Sequence, residues 1–71
     1  MPAHTSITLN DAPRQVSPGT RVAELLIELA LLETRGIAVA LNDEVVPRAE
    51  WSTRALVEGD ALVIIRASQG G

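Results

Sequence analysis

A chain of 71 residues with six arginines, nine acidic residues and a net charge of −3 makes one domain, and it lacks the basic stripe that nucleic-acid binding needs. It has no cysteine and a single histidine, His4, so disulfides, thiolate metal sites and multi-histidine zinc sites are excluded by inventory. Stability falls to nine leucines, seven valines and five isoleucines, with Trp51 as the sole aromatic and no base-stacking platform.

Thr5–Leu9 alternates polar and apolar residues, the period-2 mark of a half-buried strand. Asn10-Asp11 is turn chemistry, and residues 14–16 give a short second strand, completing a hairpin. Ser17-Pro18-Gly19 breaks the pattern, with Thr20 as the expected helix N-cap and Glu24 near the positive helix end. Across residues 21–33 the period becomes helical, with Val22, Leu25, Leu26, Leu29 and Leu32 on one stripe and Glu24 and Glu28 opposite. Ile27 and Leu31 fall off that stripe, so they widen the buried face or mark a contact surface. Arg35-Gly36 is the expected helix stop.

Ile37–Leu41 reads as a strand, residues 42–44 as a turn and residues 45–47 as a short return strand closed by Pro47. Residues 48–58 are irregular, with a helical turn near Ala49-Glu50-Trp51, and Trp51 reads as a core cover. Gly59-Asp60 turns the chain into Ala61–Arg66, the most apolar run, which predicts a strand covered on both faces at least some of the time. The order β-β-α-β-β-β makes an α+β domain, one helix against a mixed sheet of four to five strands. Pairing of first and last strands places the last one centrally. The domain spans residues 1–66, and residues 67–71 form a flexible tail.

No enzyme site emerges. The acids are scattered, His4 has no triad partner, and neither glycine turn has the spacing of a phosphate loop. What stands out is the terminal Gly70-Gly71, a pair that chance would place there about one time in two hundred. Glycines without Cβ atoms thread narrow channels, and residues 67–71 fully extended reach roughly 16–18 Å. The Gly71 carboxylate becomes an electrophile when attack on the α-phosphate of ATP converts it to an acyl-adenylate. A sulfur nucleophile then displaces AMP and leaves a thiocarboxylate, which suits a body without thiols. If Leu62 and Ile64 face the helix, Val63 and Ile65 face away, and with Ala38 and Ala40 they form an exposed apolar patch. Arg48 is a candidate docking charge beside that patch.

The chain resembles the ThiS family of thiamine biosynthesis, within the ubiquitin-like β-grasp fold. The resemblance runs from Ile7 to Gly71 and rests on Leu9-Asn10-Asp11, Val22-Ala23-Glu24-Leu25-Leu26, the stretch from Ala38 through Arg48 on to Trp51, Glu58-Gly59-Asp60 and Gln69-Gly70-Gly71. It implies a β-grasp fold and a protein co-substrate, not an enzyme, that binds no cofactor while a partner consumes ATP. The implied partners are a ThiF-type adenylyltransferase acting on Gly71, a cysteine desulfurase or sulfur relay protein, and the thiazole synthase ThiG. Gln69 and Gly70 would be needed to thread the tail into those partners. Alternatives are a MoaD-like carrier for molybdopterin synthase, whose members are richer in phenylalanine, or a ubiquitin-like protein modifier. A plain binding module with an incidental diglycine is the reading from another class. No apolar run reaches the ~20 residues of a membrane span and no export signal opens the chain, so a cytoplasmic location without membrane or nucleic-acid partners is expected.

Overall fold

Two Asn-Asp pairs fold the chain back on itself. In the computed structural model, which describes residues 4–66, Asn10, Asp11, Asn42 and Asp43 all have positive φ, between 50° and 70°. Such two-residue turns match the twist of antiparallel strands, and Asn and Asp tolerate the left-handed region through local hydrogen bonding. The first turn joins β1 (Thr5–Leu9) to β2 (Ala12–Val16), and the second joins β3 (Ile37–Leu41) to β4 (Glu44–Val45). β5 (Ala61–Arg66) lies between the hairpins, parallel to β1 and antiparallel to β3. The sheet order is β2-β1-β5-β3-β4, so the last strand is central as expected and the strand count is five.

Two strands differ from their expected bounds. β2 starts at Ala12 and takes in Pro13, which is tolerated because β2 is an edge strand and a missing N–H costs no ladder bond on its open side. The return strand is Glu44–Val45, not residues 45–47, because Val46 turns into the core while its N–H still reaches the Val39 carbonyl at 2.8 Å.

Helix α1 (Val22–Glu28) packs Val22, Leu25 and Leu26 against one face of the sheet. It stops five residues before the end that the leucine rhythm predicts. Ala30 takes φ 62°, its N–H bonds the Ile27 carbonyl at 2.9 Å, and the Leu31 N–H bonds the Leu26 carbonyl at 2.7 Å. This is the Schellman arrangement, with alanine where glycine is usual. Leu29, Leu31 and Leu32 remain packed against the core from non-helical backbone, so their spacing reflected burial and not helix. Gly36, the expected helix stop, instead leads into β3 with φ 75°.

The helix start also moves by one residue. Arg21 is the N-cap and its N–H donates to the Glu24 carboxylate at 2.8 Å, while the Thr20 hydroxyl turns back to the Ser17 carbonyl. No Ser or Thr cap is required there, because a distant loop supplies the acceptors. The N–H groups of Val22 and Ala23 donate to the carbonyls of Arg54 and Trp51 at 2.9 and 2.8 Å, satisfying donors that a helix leaves orphaned. Trp51 follows a single 3₁₀ turn, Arg48–Glu50, and is 3% exposed, with its indole N–H on the Val46 carbonyl at 2.9 Å.

The loop before β5 is held from inside. Asp60 is 7% exposed and its carboxylate accepts from the Val57 N–H and the Asn42 amide at 2.8 and 2.9 Å. The Asn42 side-chain oxygen in turn accepts the Ala61 N–H at 2.9 Å. The Glu58 carboxylate accepts from the Ser6 N–H, and the Gly59 N–H donates to the Ser6 carbonyl, both at 2.8 Å. Together these bonds seat the start of β5 beside β1.

Candidate functional site

Strand β5 leads directly to the glycine-bearing end of the chain. Its two neighbours hold it unequally. On the β3 side the pairing runs the full length, from Leu41 opposite Leu62 to Ile37 opposite Arg66. On the β1 side it covers only Thr8 with Ala61 and Leu9 with Leu62. Beyond that the first Asn-Asp turn takes over. The Asn10 N–H donates to the Leu62 carbonyl at 2.9 Å, and its side-chain amide both accepts the Ile64 N–H at 2.8 Å and donates to the Ile64 carbonyl at 3.3 Å.

Residues directly paired in a ladder share a face of the sheet. The register therefore sets Ala38 beside Ile65, and Ala40 beside both Val63 and Val45, all on the face away from α1. Ile65 is 56%, Val63 37% and Val45 75% exposed. Thr8, Ala61 and Pro13 continue the same face toward β2, and no Asp, Glu or Arg stands on it among the described strand residues. The opposite face of β5 differs: Leu62 is buried and Ile64 is packed against the core. Coverage of β5 on both faces is thus not met within the described residues.

The family model for ThiS matches residues 7–71. The chain belongs to the ThiS family. Two proteins named sulfur carrier protein ThiS are similar to it over 65 residues. The one from Escherichia coli (strain K12) is 34% identical, spanning 92% of this chain and 97% of that protein. The one from Thermus thermophilus is 35% identical, spanning 92% of this chain and 98% of that protein. The crystal structure of thiamine biosynthesis protein ThiS from Geobacter metallireducens superposes with a TM-score of 0.80. Its identity is 29%, over 94% of this chain and all of that one. The mixed five-stranded sheet with one helix, together with this likeness to a ThiS structure, gives the chain a β-grasp fold.

For a ThiS-family chain the expected site residues divide into three groups. Gln69, Gly70 and Gly71, and the tail boundary after residue 66, lie outside the described residues. Ala38, Ala40, Val63 and Ile65 are brought together on one open face. Arg48 is not among them. Its guanidinium lies 4.5 Å from the Trp51 ring centroid and donates to the carbonyls of Leu32 and Thr34 at 3.3 and 3.4 Å, tying down the segment after α1. Among the described residues no group of three or more metal-ligating side chains occurs, and no helix is long and apolar enough to cross a membrane.

Two features escaped sequence reasoning. Val45 belongs to the open face, a placement legible once the turn is fixed at Asn42-Asp43 and residues are counted outward in pairs. The bridging amides of Asn10 and Asn42 left no periodic signal, since each asparagine already had a sufficient role as a turn residue.

Proposed function

We propose that this chain is a sulfur carrier of thiamine biosynthesis, loaded and unloaded at the Gly71 carboxylate by partner enzymes. The carrying observation is that the ThiS-family match runs to residue 71 and so takes in Gln69-Gly70-Gly71. The relatives named sulfur carrier protein ThiS support it.

In the proposed cycle a Gly71 carboxylate oxygen attacks the α-phosphorus of ATP in an adenylating partner of the ThiF type, and pyrophosphate leaves. The mixed anhydride makes the glycyl carbon electrophilic. Sulfur enters there, with a cysteine desulfurase or relay protein as its source. With hydrosulfide as the simplest nucleophile, the new C–S bond replaces the C–O bond to AMP, one proton is released, and a thiocarboxylate remains. A thiazole synthase of the ThiG type then takes the sulfur: the C–S bond at Gly71 breaks, an oxygen from water or from the sulfur acceptor replaces it, and the carboxylate is restored. The body contributes binding and aim: the uncharged open face of β5, β3 and β4 has the composition of a protein-docking surface. Gln69 and Gly70, without bulky branches, pass into the partner's channel.

Mass spectrometry of the intact chain after incubation with ATP, the adenylating enzyme and a sulfide donor tests this directly. The expected product has one oxygen replaced by sulfur, and the change is absent in a chain ending at Gly70. A mass unaltered under conditions that load a known ThiS protein refutes the reading.

A further inference from the structure

The structure assigns Asn10 as a positioning residue that aims the end of β5. The inference rests on the carrier reading and deepens it. Strand β1 runs out as a partner at Leu62, two residues before Ile64 and four before Arg66. Past Leu62, the bonds that hold β5 on this side among the described residues come from the Asn10 side chain. Its amide presents a carbonyl oxygen and an NH2 group, and Ile64 engages both, its N–H donating to the oxygen at 2.8 Å and its carbonyl accepting one amide N–H at 3.3 Å. A side-chain amide thus stands in for the next peptide of β1, whose own backbone has already turned away at φ 50°. On the other side β3 keeps its pairing through Arg66. Without Asn10 the last residues of β5 hang from β3 alone, free to twist about that one ladder.

The consequence is geometric. Five residues such as 67–71 reach at most roughly 16–18 Å, so the point and direction at which β5 delivers Arg66 bound where Gly71 can be presented. A misplacement of about 1 Å costs about 100-fold in reactions that depend on alignment. Asn10 is not among the paired strand residues that the register sets on the open face, so its loss should spare partner affinity and slow the step after docking.

Asn42 supplies a matched control. It is also the first residue of an Asn-Asp turn with positive φ, and its amide also bonds β5, but at the opposite end, on the Ala61 N–H. Asn10→Gly and Asn42→Gly both keep a residue suited to the left-handed backbone while deleting the amide. The experiment follows adenylation of the full chain by its activating enzyme under steady state, with amide hydrogen exchange read at Ile64. The expected result for Asn10→Gly is a kcat lower by about 10- to 100-fold at nearly unchanged KM, with faster exchange at Ile64. Asn42→Gly, compared at temperatures equally far below each melting midpoint, should hold kcat within about threefold. Equal losses in the two variants would reduce Asn10 to a stability residue, and an unchanged kcat in Asn10→Gly would overturn the assignment outright. If the wild-type chain is never adenylated, the carrier reading falls and the positioning role with it. Exchange at Ile64 would still report whether the amide anchors the strand.

Discussion

Ala30 stands at the left-handed position that ends α1, with φ 62° and both carbonyl-capping bonds in place. An L-residue there carries a clash between Cβ and backbone that glycine lacks, on the order of 1 kcal/mol. The bonds of the motif are therefore made against a local penalty, and the neighbours compensate: Leu29 and Leu31 on either side are packed against the core. Ala30→Gly removes the penalty while keeping every capping bond. The expected gain is about 1 kcal/mol, which for a domain of this size raises Tm by about 4–8 °C. Thermal unfolding followed by circular dichroism decides it, and a Tm that falls would mean that the alanine methyl packs to greater benefit than its backbone strain costs.

At the scale of elements, the strands were legible because strand patterns rest on alternation and turn residues, and the two Asn-Asp pairs punctuate them strongly. The helix was legible at its centre and not at its ends. Leucines at 25, 26, 29 and 32 continue a helical rhythm that the backbone abandons at residue 30, since a capped turn can bury the same side chains. Its start was obscured for a different reason. The donors of Val22 and Ala23 are satisfied by carbonyls of Arg54 and Trp51, about thirty residues distant in sequence, and no local signal announces such a cap. Trp51 therefore ties three elements together: its ring fills the core, its indole bonds Val46 beyond β4, and its carbonyl caps α1. Trp51→Ala leaves a cavity and an unpaired Val46 carbonyl, and should cost about 3–5 kcal/mol, a large part of the stability of so small a domain. Urea unfolding with far-ultraviolet circular dichroism should show a transition midpoint displaced strongly downward. A shift worth less than about 1 kcal/mol would show that Trp51 is only a cover.

The whole molecule is asymmetric in what it shows to solvent. One face of the sheet is closed by α1 and the loop that carries Trp51; the other, among the described residues, is open, apolar and uncharged across β5, β3 and β4. In the sequence the pairing of Ala38 and Ala40 with Val63 and Ile65 could be anticipated from alternation alone. Arg48, only a few residues beyond β4, proved instead to be held on the segment after α1, through carbonyl contacts that no spacing announces. A stability argument and a docking argument make opposite predictions for Val63. As a stability residue it is modest: at 37% exposure, replacement by aspartate loses some strand propensity and cross-strand contact with Ala40, about 1 kcal/mol. As part of a docking face, Val63→Asp sets a charge at the centre of an apolar interface, where it must be desolvated without a partner, and affinity should fall by more than about tenfold. Titration of the variant against the adenylating enzyme by isothermal calorimetry, beside its melting curve, separates the two. A folded variant with lost affinity supports docking through this face, whereas full affinity would move the interface elsewhere and leave the open sheet a surface without that role.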